Sequence, residues 1–231
     1  MARTTLHVSP HPDDEILGCG ATLLALRAAG WRVVNLACSL GRHGDHDRRR
    51  GELDAAIGVL GIEGMVASPP VAMSSEDDVA AAEGQVAVVV GTAASEPGAE
   101  LLRSPHPNDG HPAHALVGRA VRDAATTCPR WWAWGLWRDV QAPNRYVPFG
   151  DDVLVRLSAA LACHAGEVAR NPYTDLLPAR ARAAAILGSE LVHGFGSGPA
   201  APDPYADLLE ERVRDERDGW QLSERPVVGI D

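Results

Sequence analysis

The sequence predicts an α/β fold, a Rossmann-like and mostly parallel sheet with helices on both faces. Three observations predict it. Residues 4–9 (TTLHVS) read as a strand, and residues 31–38 (WRVVNLAC) form a nearly continuous apolar run, as a buried parallel strand requires. Residues 15–29 (EILGCGATLLALRAA) and 48–60 read as helices, each followed by a glycine suited to end it, Gly30 and Gly61. The resulting strand–helix–strand–helix order implies parallel strands joined by right-handed crossovers.

The later elements follow in order. Residues 64–78 read as a loop, with Pro69-Pro70 and an acidic run from Glu76 to Asp78. Residues 79–93 fit helix or strand, with helix favoured. A strand near 99–103 leads into SPHPNDGHPAH, then a helix over about 112–126 and a strand in WWAWGLW. After PNRYVPF come helices over about 151–169 and 178–192. Gly194 to Pro204 is Gly/Pro-rich and reads as a linker. A charged helix from Tyr205 to Arg217 and an extended tail complete the reading. Residues 1–194 are thus the expected catalytic domain, with 195–231 packed against it.

Composition narrows the function. The chain's 231 residues suit one ordinary domain or one domain with a small appendage, and 45% hydrophobic residues are enough for a sizeable core. A net charge of −10 argues against nucleic-acid binding, which needs a basic surface. All 21 basic residues are arginine, which reads as codon bias and discounts arginine clusters as signals. Cys19, Cys38, Cys128 and Cys163 are scattered with no CxxC pair, so a reducing cytoplasm is expected. No export signal or bilayer-spanning run is read.

The chemistry concentrates in HPDDE, His11 to Glu15, directly after the first strand. Burying an imidazole and three carboxylates within five residues is costly without a partner, and a metal ion is the usual one. Pro12 restricts His11 to an extended conformation. One aspartate can bind a metal while its neighbour reaches water. A second element, DGHPAH, places His111 and His114 three apart at a helix start, with Pro112 suited to the first helical position. Two histidines and one carboxylate leave coordination positions open, as catalytic metals need. Zinc is favoured, and non-haem iron(II) suits the same donors. The blander reading, capping residues and solvated loop groups, must then hold at two strand-to-helix junctions at once.

HPDDEILGCGATLL, RRRGELDAAIGVLG and GHPAH together resemble the LmbE/PIG-L superfamily of zinc-dependent N-acetylglucosaminyl deacetylases. The resemblance runs from about Leu6 to His114 and continues weakly through PNRYVPF and ALACHAGEV. It implies one zinc on His11, Asp14 and His114, and Asp13 as general base. It implies that His111 stabilises the tetrahedral intermediate or donates a proton. It places a substrate-binding arginine at Arg49, with Arg50 as the alternative, and puts Asn144 and Arg145 near the substrate. One departure stands out: the family's second motif is usually HPDH, and Ala113 replaces that aspartate. Asp109 and Asp139 are the available substitutes.

The implied reaction is removal of an N-acetyl or N-acyl group from an N-acetylglucosamine-type conjugate, with a specialised-metabolite or antibiotic precursor favoured. The implied partner is therefore a small N-acetylated amino sugar, acted on by a cytoplasmic enzyme that is compatible with a homo-oligomer. The competing readings are an amidase acting on a non-sugar amide, and a non-catalytic, metal-stabilised sugar-binding module. Other features have two readings each. The loop Arg42 to Asp47 either lines the ligand crevice or caps the next helix. Trp131, Trp132, Trp134 and Trp137 read first as core or interface, second as a sugar-stacking surface. His106 and Asn108 are placed at the rim, His164 as a packing histidine, and Glu15 as a supporting or helix-start charge.

Overall fold

The computed structural model describes residues 2–73, 78–95, 98–124, 126–198, 201–215, 217, 219–224 and 226–230. Its sheet grows from the two apolar runs: β1 (Thr4–Ser9), buried along its whole length, pairs in parallel with β2 (Arg32–Ala37). β3 (Glu63–Val66) extends that edge, and β4 (Leu101–Pro105) and β5 (Arg130–Trp134) extend the other, all parallel. β6 (Arg145–Phe149), β7 (Tyr205–Asp215), β8 (Gly219–Leu222) and β9 (Val227–Val228) complete a nine-stranded sheet. Its order is β3-β2-β1-β4-β5-β7-β6-β9, with β8 paired to β7.

Helices cover both faces, as both-face burial of the parallel strands demands. On one face lie α1 (Asp14–Leu17), α2 (Gly20–Ala28), α3 (His46–Leu60), α6 (Asp151–Leu161) and α8 (Tyr173–His193). They pack around Leu23, Leu26, Trp132, Trp134 and Leu161. On the other lie α4 (Val79–Ser95) and α5 (Pro112–Asp123), against Leu6, Val8, Leu102 and Trp131. A short α7 (Ala165–Val168) sits between α6 and α8. Among the described residues no helix is long and apolar enough to cross a membrane.

Several expectations need correction. The segment expected as a charged helix, Tyr205 to Arg217, is β7 over Tyr205–Asp215, antiparallel to both β5 and β6. Its acidic and basic spacing suits helical i,i+4 pairs, but the partners lie across the sheet. Glu211 pairs with Arg145 at 2.6 Å and Arg130 at 2.7 Å, while Asp207 accepts the Thr22 N–H and hydroxyl, each at 2.8 Å. Gly194 to Pro204, whose residues 199–200 lie outside the described ones, stands in the chain between α8 and β7. The helix expected over 15–29 breaks at Gly18-Cys19, where a Cβ on Gly18 would meet the Trp134 ring at 2.8 Å. The helix expected over 151–169 breaks at the buried His164 and restarts as α7. The loop expected at 64–78 contains most of β3, and its acidic residues Glu76 and Asp77 lie outside the described residues.

Burial pushes the Asp207 carboxyl up to about 6 against the Thr22 hydrogen bonds. A carboxyl with a raised folded pKa stabilises the fold fully below its unfolded value, near 3.8, and loses that contribution as pH rises through 6. Asp207→Asn keeps an acceptor for Thr22 and removes the titration. Urea midpoints of the variant should therefore fall less than the wild type's between pH 4.5 and pH 7.

Candidate metal centre

The HPDDE segment leaves the C-terminal end of β1, and DGHPAH follows the C-terminal end of β4. These two strands are neighbours, and the chain runs outward from them in opposite directions, through β2 and β3 on one side and β5 on the other. That reversal opens a crevice at the strand ends, the usual ligand position in open α/β sheets. Residues a hundred apart in sequence meet there.

His11, Asp14 and His114 each offer one ligand atom, and these atoms lie within 4.8 Å of one another. Asp14 lies between the two rings: its Oδ2 is 3.5 Å from His11 Nδ1 and also accepts the His11 backbone N–H at 2.9 Å, and its Oδ1 lies 3.2 Å from His114 Nε2. Burial pushes the Asp14 carboxyl up, but the His114 and His11 imidazoles outweigh it and hold it well below the usual range. His114 Nδ1 faces Asp109 Oδ1 at 3.6 Å, a carboxylate behind the ring that favours the ring proton on Nδ1 and leaves Nε2 as the donor atom for a cation. Two imidazoles and one carboxylate, buried or nearly so and supported from behind by a second carboxylate, fit zinc or iron(II) as a donor set.

Asp13 has a different environment. Its φ of 107° makes it the one non-glycine residue with positive φ among those described, a conformation that costs about 1–3 kcal/mol and persists only when its surroundings enforce it. Three contacts enforce it. The Asp13 N–H donates to Glu15 Oε2 at 2.9 Å, Glu15 meets His164 Nε2 at 2.6 Å with both side chains fully buried, and Arg49 donates to the Pro12 carbonyl at 2.8 Å. The Asp13 carboxyl lies 3.9 Å from Arg49. Burial first, then the charges of Asp14 and Glu15, push it well above the ordinary carboxylate range. A cation on the neighbouring donors draws it back down.

His111 caps the N-terminus of α5 and accepts the Ala113 N–H on Nδ1 at 3.2 Å. The neutral ring then carries its proton on Nε2, as a donor into the crevice. Its rings stand 4.9 Å from His114 and 5.6 Å from His11. Burial and these two imidazoles lower its pKa. Asp109 organises the loop that Ala113 leaves without a side-chain carboxylate: it accepts the His111 N–H at 2.9 Å, and the Leu136 and Trp137 N–H groups on its other oxygen. Asp139 pairs with Arg180 on the surface instead.

Leu17, Arg49, Leu136, Trp137, Glu167, Arg170 and Tyr173 line the crevice with the motif residues. Glu167, on α7, lies 3.8 Å from Arg49 and pairs with Arg170. Glu167, Arg170 and Tyr173 escape a sequence reading because they follow the motifs by some fifty residues or more without fixed spacing. The one signal was His164, three residues before Glu167. Of the tryptophans, Trp131, Trp132 and Trp134 are core, and Trp137 reaches the crevice, 45% exposed. Arg50 is exposed, away from the lining.

The sequence pattern of the PIG-L family, described as GlcNAc-PI de-N-acetylase, matches residues 6–125. The chain belongs to the PIG-L family. It is 28% identical to the 1D-myo-inositol 2-acetamido-2-deoxy-alpha-D-glucopyranoside deacetylase of Mycolicibacterium gilvum, over 55% of this chain and 57% of that protein. The chain spans 25 to 57% of the length of the curated relatives it matches. Among solved structures, a deacetylase of the teicoplanin biosynthesis pathway superimposes with a TM-score of 0.69 at 17% identity, covering 96% of this chain and 99% of that one. GalB, the 4-carboxy-2-hydroxymuconate hydratase of Pseudomonas putida KT2440, superimposes with a TM-score of 0.64 at 19% identity, covering 90% and 95%. At these identities the likeness is one of fold.

Two residues that the PIG-L resemblance puts near the substrate lie elsewhere. Asn144 ties β7 to the tail, donating to the Glu211 and Ser223 carbonyls at 3.1 and 2.9 Å. Arg145 is buried, pairs with Glu211, donates to the Gly229 carbonyl at 2.8 Å and lies 4.1 Å over the Trp132 ring. Both belong to a buried network that holds the C-terminal strands. Arg145→Ala should therefore lower unfolding free energy by about 3 kcal/mol, as removal of one partner from a buried pair does, with metal binding the same as that of the wild type. Denaturant titration and metal titration check the two halves.

Proposed function

We propose that this PIG-L protein is a metal-dependent N-deacetylase acting on an N-acetylglucosamine-type conjugate, with Asp13 as its general base. The observation that carries the reading is the division of labour between adjacent aspartates. Asp14 is committed to two imidazoles, while Asp13 is held beside them by an enforced backbone and faces the same crevice. His11, Asp14 and His114 would hold a divalent ion, zinc by preference, which when bound would supply Lewis-acid polarisation of an acyl oxygen and acidify water. Asp13 takes the proton of the attacking water and returns it to the leaving nitrogen. His111 donates from Nε2 to the oxygen on which charge develops. Arg49, held by the Pro12 carbonyl and flanked by Glu167, and Arg170 at the rim offer charged partners for sugar hydroxyls. Trp137 and Tyr173, with ring centroids 6.3 Å apart, offer aromatic faces to the ring.

The family description, the naming of the Mycolicibacterium gilvum relative and the teicoplanin-pathway neighbour support an acetylated amino sugar as substrate. The hydratase neighbour shows that fold likeness does not choose the reaction. The choice rests on the Asp13–Asp14 division.

Acetate release from a panel of N-acetylated sugars by the zinc-loaded protein tests the reading. Asp13→Asn should bind one zinc per chain and lose about 10²–10⁴-fold in rate, the usual contribution of a general base. Retention of the wild-type rate by that variant overturns the mechanism. His114→Ala should lose the metal itself, read by elemental analysis after dialysis.

A further inference from the structure

Beside the metal crevice lies a second cavity of about 120 Å³, comparable to engineered apolar cavities that take up hydrocarbon ligands. Leu17 lines both spaces. The loop after β5 divides between them: Leu136 and Trp137 face the crevice, while Gly135 and Val140 line the cavity. α8 does the same along one face. Tyr173 lines the crevice; Leu177, Ala181, Ala184, Leu187 and Leu191 line the cavity at successive turns. The cavity's charged residues are already paired: Asp207 with Thr22, and Arg180 with the Gly135 carbonyl at 2.7 Å and with Asp139. What remains is hydrocarbon, and it opens outward, since Leu187 and Leu191 are 48% and 46% exposed.

The crevice itself is two-sided. Arg49, Glu167 and Arg170 make one wall polar, while Leu17, Leu136, Trp137 and Tyr173 give the other an apolar and aromatic character. A polyhydroxylated amine suits the first wall. The second includes Leu17, which also lines the cavity. We propose that this cavity receives the alkyl chain of the substrate's acyl group, so that the protein takes medium-chain N-acyl amino sugars in preference to N-acetyl ones. This rests on the metal-dependent deacetylase reading above, keeps its amide hydrolysis and specifies the acyl group removed.

The test compares N-octanoylglucosamine with N-acetylglucosamine, and with octyl 2-acetamido-2-deoxyglucoside, on the zinc-loaded wild type and on Ala184→Phe, which fills the cavity from α8. The wild type should show at least a tenfold lower KM for the octanoyl compound, lost in Ala184→Phe, with acetyl turnover unchanged. Calorimetric binding of the same three compounds reads the cavity independently of turnover. Hydrolysis of the acetyl compound with no octanoyl preference in KM or binding overturns the acyl cavity and leaves the deacetylase reading standing. Octanoyl binding lost in Ala184→Phe, with no hydrolysis of any compound, overturns the reaction and keeps an alkyl-binding cavity without its acyl assignment. A preference for the octyl glycoside alone assigns the cavity to the aglycone and overturns the proposal.

Discussion

Everything at the end of β1 answers to one constraint: Asp13, Asp14, Glu15 and Glu167 are buried within one small region. Like charges at this density repel and desolvate one another, so each carboxylate needs its own compensation. Asp14 is met by His11 and His114, Glu15 by His164, and Glu167 by Arg49 and Arg170. Asp13 has Arg49 at 3.9 Å, while burial and the charges of Asp14 and Glu15 push its carboxyl well above the ordinary range. A cation among the three ligand residues is the natural counter-charge for that remainder. The same repulsion that makes the site costly thus prepares one carboxylate to accept a proton.

The compensation is built from distant elements. His164 stands at the break between α6 and α7, and its bond to Glu15 anchors the backbone of Asp13 through one further hydrogen bond. Glu167, one turn on, restrains Arg49 on α3, which in turn holds the Pro12 carbonyl. The histidine that reads as packing alone is therefore part of a chain that fixes the Asp13 backbone. Ala113 shows similar redistribution. Its missing carboxylate is covered in two ways, by its own backbone N–H on His111 and by Asp109 beneath the loop.

The C-terminal residues have the opposite character. Their charges serve the sheet, with Glu211 and Asp207 of β7 satisfied by partners on other elements, and Glu210 by Arg212 of the same strand and His106 in the loop after β4. Burial of such pairs is tolerable only with full hydrogen bonding, and Arg145 supplies it to Glu211 from β6. An arginine in a loop that resembles a substrate loop can thus be a structural residue, and local sequence does not separate the two.

The sequence by itself determined the parallel half of the fold and pointed to the His11, Asp14 and His114 cluster that the fold brings together. Continuous apolar runs, glycine stops and the two His-rich motifs are local signals, because a both-face-buried strand and a strand-to-helix junction impose themselves on neighbouring residues. Tertiary structure decided the rest. Whether Tyr205–Asp215 is helix or strand depended on Arg130 and Arg145 across the sheet, and the roles of Glu167, Tyr173 and His164 depended on where α7 and α8 dock. Pairing between charges and shape matching between helices act through space, so residues with no fixed spacing along the chain acquire their function only when the sheet brings them to one edge.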